Sequence, residues 1–392
     1  MIITAAHTTE ARPLPAVAEL LPPVAGALGG GAADLAILLT SAPSTPELPE
    51  MAERVQTRLA ARVLVAATAG ALICNGHEFE QSNGTALWAA QLPGVRCRAF
   101  HFSAQDADRL DTPEAVAEHV GVGPEENPAF ILIGDPFSVY PPDVLARLHS
   151  AYPGRPIVGG LISAGARPGE NTLIFEGLPL HHGVIGVALS GDLRVDALVS
   201  QGCRPIGRPL VVTRAERNVI HTLGGRATMD VLDEVIRALS AADRRRLEAG
   251  GLLVGCVVNE YQPTFARGDF LIRNAVGLDP ETRALAISDH LRTGQTVQFH
   301  VRDRESAAAD MQEALAGAAA GGPVAGALLF SCNGRGTSLF GRPHHDAAAL
   351  AEALGSPATA GFSCAGEIGP IGSRSYLHGF TAAAALLRPA AG

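Results

Sequence analysis

The chain has 392 residues, a hydrophobic content of 47%, a charged content of 18% and a formal net charge of −9. This length is enough for two or three domains with buried cores, and the composition is that of a globular chain rather than a disordered one. The negative charge argues against general nucleic-acid binding. All thirty basic residues are arginines, so sites that require a lysine, such as a P-loop or a Schiff base, are excluded.

The first half of the chain contains two stretches that share one plan, and a third copy lies near the C-terminus. In each stretch two short apolar runs flank a helical segment: ADLAILLT with RVLVAATAG, AFILIGDPF with RPIVGGLIS, and VAGALLFSCNGRG with ATAGFSCAG. This alternation predicts βαβ-like units with a mostly parallel sheet. A Gly-containing loop with a glutamate follows each unit, at Glu78, Glu170 and Glu367. We interpret the three stretches as internal repeats, with chance similarity of Gly/Ala-rich segments as the alternative.

Between the second and third copies, strand-like runs alternate with turn signals such as Ser190-Gly191-Asp192. This pattern predicts antiparallel strands. Amphipathic helices are predicted from Met229 to Leu239 and from about Arg304 to Ala319. The predicted fold is α/β, with two lobes, pseudo-repeated βαβ units, mixed sheets and an antiparallel middle section. A boundary near residue 220 divides it into domains over residues 30–220 and 221–388.

The third copy contains a polar, glycine-rich loop directly after a predicted buried strand, and this loop is our first candidate binding site: Cys332, Asn333, Gly334, Arg335 and Gly336. Open α/β sheets bind ligands at the carboxyl ends of their strands, where this loop is expected. Glycines allow close approach of the backbone to a ligand, and a guanidinium suits a carboxylate. The alternative is a structural loop in which Arg335 pairs with Glu367.

Two further segments contain candidate binding residues. Glu367 is expected either to hold the ammonium of an amino acid or to accept hydrogen bonds from backbone N–H groups of its own Gly-Pro loop. Arg273 and Asn274 follow the apolar run DFLI. A buried arginine needs a partner, which either a ligand pocket or an ion pair between domains would supply.

The histidines and the aromatic content give little reason to expect a metal ion or a cofactor. The pairs His181-His182 and His344-His345 have poor geometry for holding one ion, so no metal site is expected. Asp346 is predicted to cap a helix that begins beside it. A haem would need an axial ligand such as His300 or His378, and the 5% aromatic content offers few stacking partners. We expect no cofactor, with haem as the alternative.

The cysteines and the termini bear on location and on nucleophilic chemistry. The six cysteines are far apart and form no Cys-x-x-Cys pair, which favours a reducing compartment over a disulfide framework. No apolar run approaches the roughly 18 residues of a membrane span, and no signal peptide is evident. We expect a cytoplasmic protein without membrane contact. No base can be placed from sequence beside Cys332 or Cys364, so both are expected to be core-filling residues.

Several motifs together resemble one known family. CNGRG followed by LFG, then AGFSCAGEIGP and LHGFT, resemble the C-terminal half of the FIST domain, named for F-box and intracellular signal-transduction proteins. GDFLIRNAVGLD, GQTVQFHVRD, PIVGGLIS and VSQGCRPIGRPLVVT are similar to further family segments, so the resemblance covers most of residues 30–388. It implies an intracellular sensory module that binds a small ligand such as an amino acid. Some members look like haem-containing gas sensors, and the family brings no agreed catalytic residues.

These observations lead to one hypothesis and two alternatives. We expect reversible binding of an amino acid or similar small carboxylate by the loops that carry Arg335, Glu367 and Arg273. Because no output domain is evident in the sequence, the signal would pass to a separate partner protein. The alternatives are a hydrolase or transferase that uses Cys364 or Glu367, and a protein-binding scaffold without a small ligand.

Overall fold

The computed structural model describes residues 1–41, 46–80, 82–106 and 109–390. By spatial contact the chain divides into two units. Unit 1 comprises Met1–Val199, Met311–Leu377 and Thr381–Gly392, and unit 2 comprises Ser200–Asp310 and His378–Phe380. Most of unit 2 is therefore an insertion in the sequence of unit 1.

Unit 1 is built from three copies of one arrangement, which we call repeats 1, 2 and 3: strand, helix, strand, helix, strand, hairpin, strand. Repeat 1 contains β1 (Ile2–Thr8), α1 (Pro13–Ala27), β2 (Leu35–Thr40), α2 (Leu48–Leu59), β3 (Val63–Thr68), β4 (Leu72–Cys74), β5 (His77–Phe79) and β6 (Thr85–Gln91). Repeat 2 contains β7 (Val95–Phe102), α3 (Pro113–Val120), β8 (Ala129–Gly134), α4 (Pro141–Ala151), β9 (Ile157–Leu161), β10 (Leu173–Phe175), β11 (Leu178–Leu180) and β12 (Val184–Gly191).

Repeat 3 is interrupted by unit 2 after its first strand, β13 (Leu193–Gln201). The insertion contains β14 (Cys203–Glu216), β15 (Val219–Leu223), β16 (Arg226–Ala227), α5 (Thr228–Ala238), α6 (Ala241–Gly250), β17 (Leu253–Val257), β18 (Phe270–Asp279), β19 (Ala284–Ile287) and β20 (Thr296–Arg302). The repeat then continues through α7 (Arg304–Ala320), β21 (Gly326–Cys332), α8 (Gly336–Phe340), α9 (His345–Leu354), β22 (Ala358–Cys364), β23 (Gly366–Ile371), β24 (Arg374–His378) and β25 (Thr381–Pro389).

The three repeats exchange their hairpins in a closed cycle. The three six-stranded sheets have the orders β1-β6-β2-β3-β10-β11, β7-β12-β8-β9-β23-β24 and β13-β25-β21-β22-β4-β5. Each contains a parallel pair, β2–β3, β8–β9 or β21–β22, from one strand–helix–strand unit. The hairpin at the end of each sheet comes from a different repeat. Loops from different repeats are therefore brought together at the carboxyl ends of the parallel strands.

Strand β2 shows why the parallel strands read as continuous apolar runs. Leu35, Ile37 and Leu39 alternate into a central core that receives residues from all three sheets. Ala36 and Leu38 face the opposite way, into a second core beneath α1 and α2. Because the strand is buried on both faces, no polar position interrupts it. Corresponding cores lie between the other two sheets and their own helices.

Unit 2 is a closed antiparallel barrel. Its strands follow the order β14-β20-β17-β18-β19-β15, and an additional pairing of β14 with β15 completes the ring. All six pairings are antiparallel, and side chains such as Val212, Val254 and Phe299 fill the interior. Closure removes the exposed strand edges that an open sheet would present.

The predicted α/β class with mixed sheets is confirmed. The predicted boundary near residue 220 falls inside β15, whereas the two units divide at Val199 and Ser200. The two units are defined by spatial contact, whereas the predicted boundary separates two family modules along the sequence. The boundary near residue 220 therefore stays a prediction. In the part of the chain that the structure describes, no helix combines the length and the apolar character that crossing a membrane requires.

Candidate functional site

A cavity with a volume of about 250 Å³ lies in unit 1 at the carboxyl ends of the parallel strands. Open α/β sheets place their ligand sites in this position. All three repeats contribute to its walls, with Gly70, Ala71, Glu78 and Glu80 from repeat 1, Ser163 from repeat 2, and Ser331, Cys332, Asn333, Arg335, Gly336 and Ser363 from repeat 3. We call it the unit 1 cavity.

Arg335 is the buried cation of this cavity, with only 1% of its surface exposed. Its Nε donates to Oδ2 of Asp346 at 2.6 Å and its Nη2 donates to Oδ1 at 2.8 Å. The guanidinium also lies 5.3 Å from the ring centroid of Phe340. Nη1 is buried and has no hydrogen-bond partner among the described residues. The ion-pair partner of Arg335 is therefore Asp346 rather than Glu367, and one donor is left over.

Asp346 is available for this pairing because another carboxylate caps its helix. The backbone N–H groups of Asp346 and Ala347, in the first turn of α9, both donate to Oε1 of Glu78 at 2.9 Å. The predicted start of a helix beside Asp346 is confirmed, since α9 begins at His345. The predicted cap is wrong, because the cap comes from the hairpin of repeat 1. Burial alone would raise the pKa of Asp346, but the Arg335 guanidinium and hydrogen bonds from Arg335, His345 and Ser331 hold it below its usual value.

Glu367 is a fully buried carboxyl group. Its Oε2 accepts hydrogen bonds from the backbone N–H of Thr381 at 3.1 Å and from the Thr381 hydroxyl at 2.8 Å. Its Oε1 is buried and has no hydrogen-bond partner among the described residues. Most buried side-chain oxygens in proteins have such a partner. Burial raises the pKa of Glu367 to about 8, although Thr381, Arg335 and the Cys332 thiol act in the opposite direction. The donors come from β25, not from the Gly-Pro loop of Glu367 itself.

Glu78 and Glu80 are acidic wall residues to which sequence analysis assigned no role. Burial, followed by the charge of Asp346, raises the pKa of Glu78 to about 7. Glu80 accepts hydrogen bonds from the backbone N–H and the hydroxyl of Thr337, in the first turn of α8. Glu78 carried one signal in the sequence, its place after a repeated strand–helix–strand unit. The partners of both glutamates lie more than 250 positions away along the chain, where spacing gives no information.

The predicted loop from Cys332 to Gly336 forms much of the cavity wall. Cys332 is half-buried, and the backbone N–H of Gly334 donates to its Sγ at 3.5 Å. Asn333 is exposed, and its backbone N–H donates to the carbonyl oxygen of Cys364 at 2.9 Å. Gly336 has a φ of +56°, a left-handed conformation that glycine adopts without strain. The structure thus brings this loop and Glu367 together in unit 1.

Arg273 and Asn274 lie on β18 of unit 2, whereas every wall residue of the cavity belongs to unit 1. Nε of Arg273 donates to Oδ2 of Asp289 at 2.6 Å, and its Nη1 donates to the carbonyl oxygen of Ile272. Asn274 is exposed, and its backbone N–H donates to the hydroxyl of Ser288. The buried arginine thus has an acidic partner within unit 2. Its role in a ligand site stays a prediction.

Other chemistries find less support in the geometry. Cys364 is fully buried, its thiol donates to the carbonyl oxygen of Phe362, and burial raises its pKa well above the usual thiol value, so a reactive thiolate is disfavoured there. The described residues contain no group of three or more His, Cys, Asp or Glu side chains placed to hold a metal ion. His300 is packed against Phe270 inside unit 2, and burial lowers its pKa to about 4. This packing does not fit the axial ligand of a haem.

Comparison with known proteins gives the chain a family. The FIST N domain matches residues 34–226 and the FIST C domain matches residues 228–370. Uncharacterized proteins of Mycobacterium tuberculosis and Mycobacterium bovis are 38% identical over 361 residues, with 92% of each chain covered. A cyanuric acid hydrolase of A. caulinodans gives a TM-score of 0.35 at 10% identity, over 100% of this chain and 99% of that one, too little to argue from. The chain belongs to the FIST family, whose domains are regarded as sensory modules of signal transduction.

Proposed function

We propose that this protein is a cytoplasmic sensor that binds an amino acid or a similar small carboxylate in the unit 1 cavity and signals through a separate partner protein. Family membership supports the sensory role. One observation supports an anionic ligand: Nη1 of Arg335, a residue that lines the cavity, is a buried guanidinium donor without a partner among the described residues.

The energetics of buried donors favour an anionic ligand at Arg335. Nearly all buried polar groups in proteins have a hydrogen-bond partner, and leaving one unsatisfied costs about 1–3 kcal/mol. Asp346 already occupies Nε and Nη2, so Nη1 offers one charge-assisted hydrogen bond to a single carboxylate oxygen. A ligand carboxylate would satisfy the donor that the protein itself leaves open.

The acidic walls suit the other end of an amino acid. Glu78 and Glu80 line the same cavity as Arg335. Each carboxylate accepts two or three hydrogen bonds from a helix terminus and has further acceptor capacity for an ammonium group. The volume of about 250 Å³ lies just below the roughly 300–1,000 Å³ of pockets for drug-sized ligands, which suits a smaller molecule.

Calorimetric titration of the full chain with the standard amino acids, each beside its decarboxylated amine, tests the proposal. We expect an amino acid to bind and its amine to bind at least tenfold more weakly, because the amine cannot accept from Nη1. In R335K, which keeps the charge beside Asp346 but loses the guanidinium, binding should weaken at least tenfold. R273K, the matched change in unit 2, should bind as the wild type does.

A second pair of variants separates loss of binding from loss of folding. Asn333 lines the cavity and Asn274 lies in unit 2, and both are exposed. N333W should block the cavity without disturbing a buried residue, and N274W should leave binding unchanged. The proposal would be contradicted if no amino acid or short carboxylate bound the wild type. It would also be contradicted if R335K and N333W folded and bound the ligand as the wild type does.

The signalling part of the proposal makes its own prediction. A sensor should retain its partner differently with and without ligand, whereas a scaffold should retain it equally. Pull-down from a cell extract, with wild type and N333W each in the presence and absence of the best-binding amino acid, compares the two. Ligand-dependent capture by the wild type alone is the expected result. Equal capture in all four samples would favour the scaffold.

A further inference from the structure

Two of the six cysteines are half-buried, Cys97 and Cys332, and both line cavities of unit 1. Their surroundings differ. Burial, with the charge of Asp34, raises the pKa of Cys97 to about 12, so this thiol is held in its unreactive form. Cys332 instead has the Glu367 carboxyl and the Arg335 guanidinium as neighbours. A thiol on the cavity wall therefore has a buried carboxyl group and a buried cation beside it.

We propose that Cys332 is a nucleophile that accepts an acyl group from a small ester or amide in the unit 1 cavity, with Glu367 as its base and Arg335 as the donor to the oxyanion. The sequence predicts a core-filling role for Cys332, because spacing alone places no base beside it. The inference uses the same cavity as the proposed function but does not depend on amino-acid binding.

The nucleophile is held by its position and by its own loop. Cys332 is the last residue of β21, directly beside Cys364 in the parallel register of β21 and β22. The backbone N–H of Gly334 donates to Sγ at 3.5 Å, and the thiol donates to Oδ1 of Asn333 at 3.8 Å. The hydrogen bond from the Asn333 N–H to the Cys364 carbonyl oxygen fixes the turn. The sulfur is thus oriented before a substrate arrives.

Glu367 is placed to act as the base. Thr381 holds its Oε2 with two hydrogen bonds, while Oε1 has none from the described residues. The charged and titratable groups that face it are Arg335, Cys332 and Cys364. Its pKa of about 8 lies near neutral pH, where a general base is most effective.

Arg335 supplies the third element of the site. Its Nη1 is buried and unpartnered among the described residues, and the ion pair with Asp346 fixes the plane of the guanidinium. A donor that is rigid and dry before the reaction costs no reorganisation when negative charge develops on an oxygen. The group that would bind a ligand carboxylate can thus also stabilise an oxyanion.

The reaction balances without a metal or cofactor. The thiol of Cys332 gives its proton to Glu367 as its sulfur bonds to the carbonyl carbon, and the C=O π electrons move to the oxygen beside Arg335. Collapse re-forms the C=O bond and breaks the bond to the alcohol or amine, which takes the proton from Glu367. Water then gives a proton to Glu367 and adds to the thioester, the C–S bond breaks, and the sulfur regains the proton. The net change is ester plus water to acid plus alcohol.

The probe is p-nitrophenyl acetate with the full-length chain, followed by nitrophenolate release and by mass spectrometry of the peptide that contains Cys332. We expect one acetyl group on Cys332 and a rate that rises with pH through about 8, as Glu367 loses its proton. C332S should slow acetylation at least about 100-fold, and E367Q should slow it about 100-fold at pH 7. C97A is the matched control and should react as the wild type does.

A merely structural role for Glu367 predicts a different pH profile. If Glu367 is the base, E367Q should recover towards the wild-type rate above pH 9, where the thiol ionises without help. A defect of equal size at every pH, or acetylation of Cys97 instead of Cys332, would overturn the inference. Amino-acid binding with no acetylation of Cys332 would overturn it while leaving the proposed function intact. Acetylation of Cys332 with no amino-acid binding would contradict the proposed function and support the inference.

Discussion

Two of the buried arginines, Arg335 in unit 1 and Arg273 in unit 2, each pair with an aspartate but differ in what the pair leaves unsatisfied. Each donates through Nε to an aspartate at 2.6 Å. The Arg335–Asp346 pair is almost completely buried, with side-chain exposures of 0% and 1%, whereas the side chain of Asp289 beside Arg273 is 25% exposed. Arg335 combines a place in a cavity wall with a buried N–H that has no partner among the described residues. An arginine indicates a site through what its partner leaves unsatisfied, not through burial alone.

The largest expected effect comes from removing the acid beside Arg335. D346A leaves a buried guanidinium without its counter-charge, which should cost about 3–5 kcal/mol of folding stability. Urea unfolding followed by circular dichroism measures the loss. D289A is the matched change in unit 2 and should cost less, because Asp289 is partly solvated and water can replace some of the interaction. Equal losses would mean that burial does not distinguish the two pairs.

The next effect is the pH dependence that Glu367 gives to stability. Its pKa of about 8 exceeds the roughly 4.3 of a glutamate in an unfolded chain, so the folded state binds this proton more tightly. The stabilisation is complete below about pH 4 and is lost as pH rises through 8. Relative to E367Q, the wild type should lose about 2–4 kcal/mol between pH 5 and pH 9. Parallel stability curves for the two proteins would show that Glu367 is not a shifted carboxyl group.

A smaller effect is expected at the cap of α9. E78A removes the oxygen that accepts from the backbone N–H groups of Asp346 and Ala347, and loss of such a cap costs about 1–2 kcal/mol. E78Q keeps an acceptor and should cost less. Glu170, the glutamate that follows the parallel strands of repeat 2, accepts hydrogen bonds from backbone N–H groups of its own exposed loop. E170A should therefore change the stability by about 0.5 kcal/mol or less, and a loss equal to that of E78A would contradict this difference.

The smallest expected effect is at Asn274. Its side chain is exposed on β18, and surface changes of this kind usually alter stability by less than about 0.5 kcal/mol. N274A should leave both unfolding and amino-acid binding as in the wild type. Loss of binding in N274A would show that β18 contributes to the ligand site after all, and would restore the prediction that the sequence makes for this segment.

The elements of the fold could be predicted from the sequence because their signals are local. Apolar runs such as Leu35 to Leu39 and the helical segment from Arg304 become β2 and α7, since burial on both faces and helical periodicity are written in neighbouring residues. The cyclic exchange of hairpins among the three sheets could not be predicted. It joins strands far apart in the chain, as in the pairing of Leu72 in β4 with Phe362 in β22, and no local pattern specifies such a partner.

The candidate site shows the same limit. The loop from Cys332 to Gly336 lines the cavity at the end of β21, and its role in ligand binding stays a prediction. The sequence does not identify Asp346 as the partner of Arg335, because its position predicts a helix cap. Only the structure shows that Glu78 caps this helix and leaves Asp346 for Arg335. The cavity itself depends on loops from three repeats, which only the assembled fold brings together.

The most direct test of the central claim is a crystal structure of the full chain with its best-binding amino acid. We predict electron density in the unit 1 cavity, with a ligand carboxylate oxygen about 2.7–2.9 Å from Nη1 of Arg335 and the ammonium beside Glu78 or Glu80. A ligand bound elsewhere, or one whose carboxylate points away while Nη1 stays unpartnered, would contradict the account.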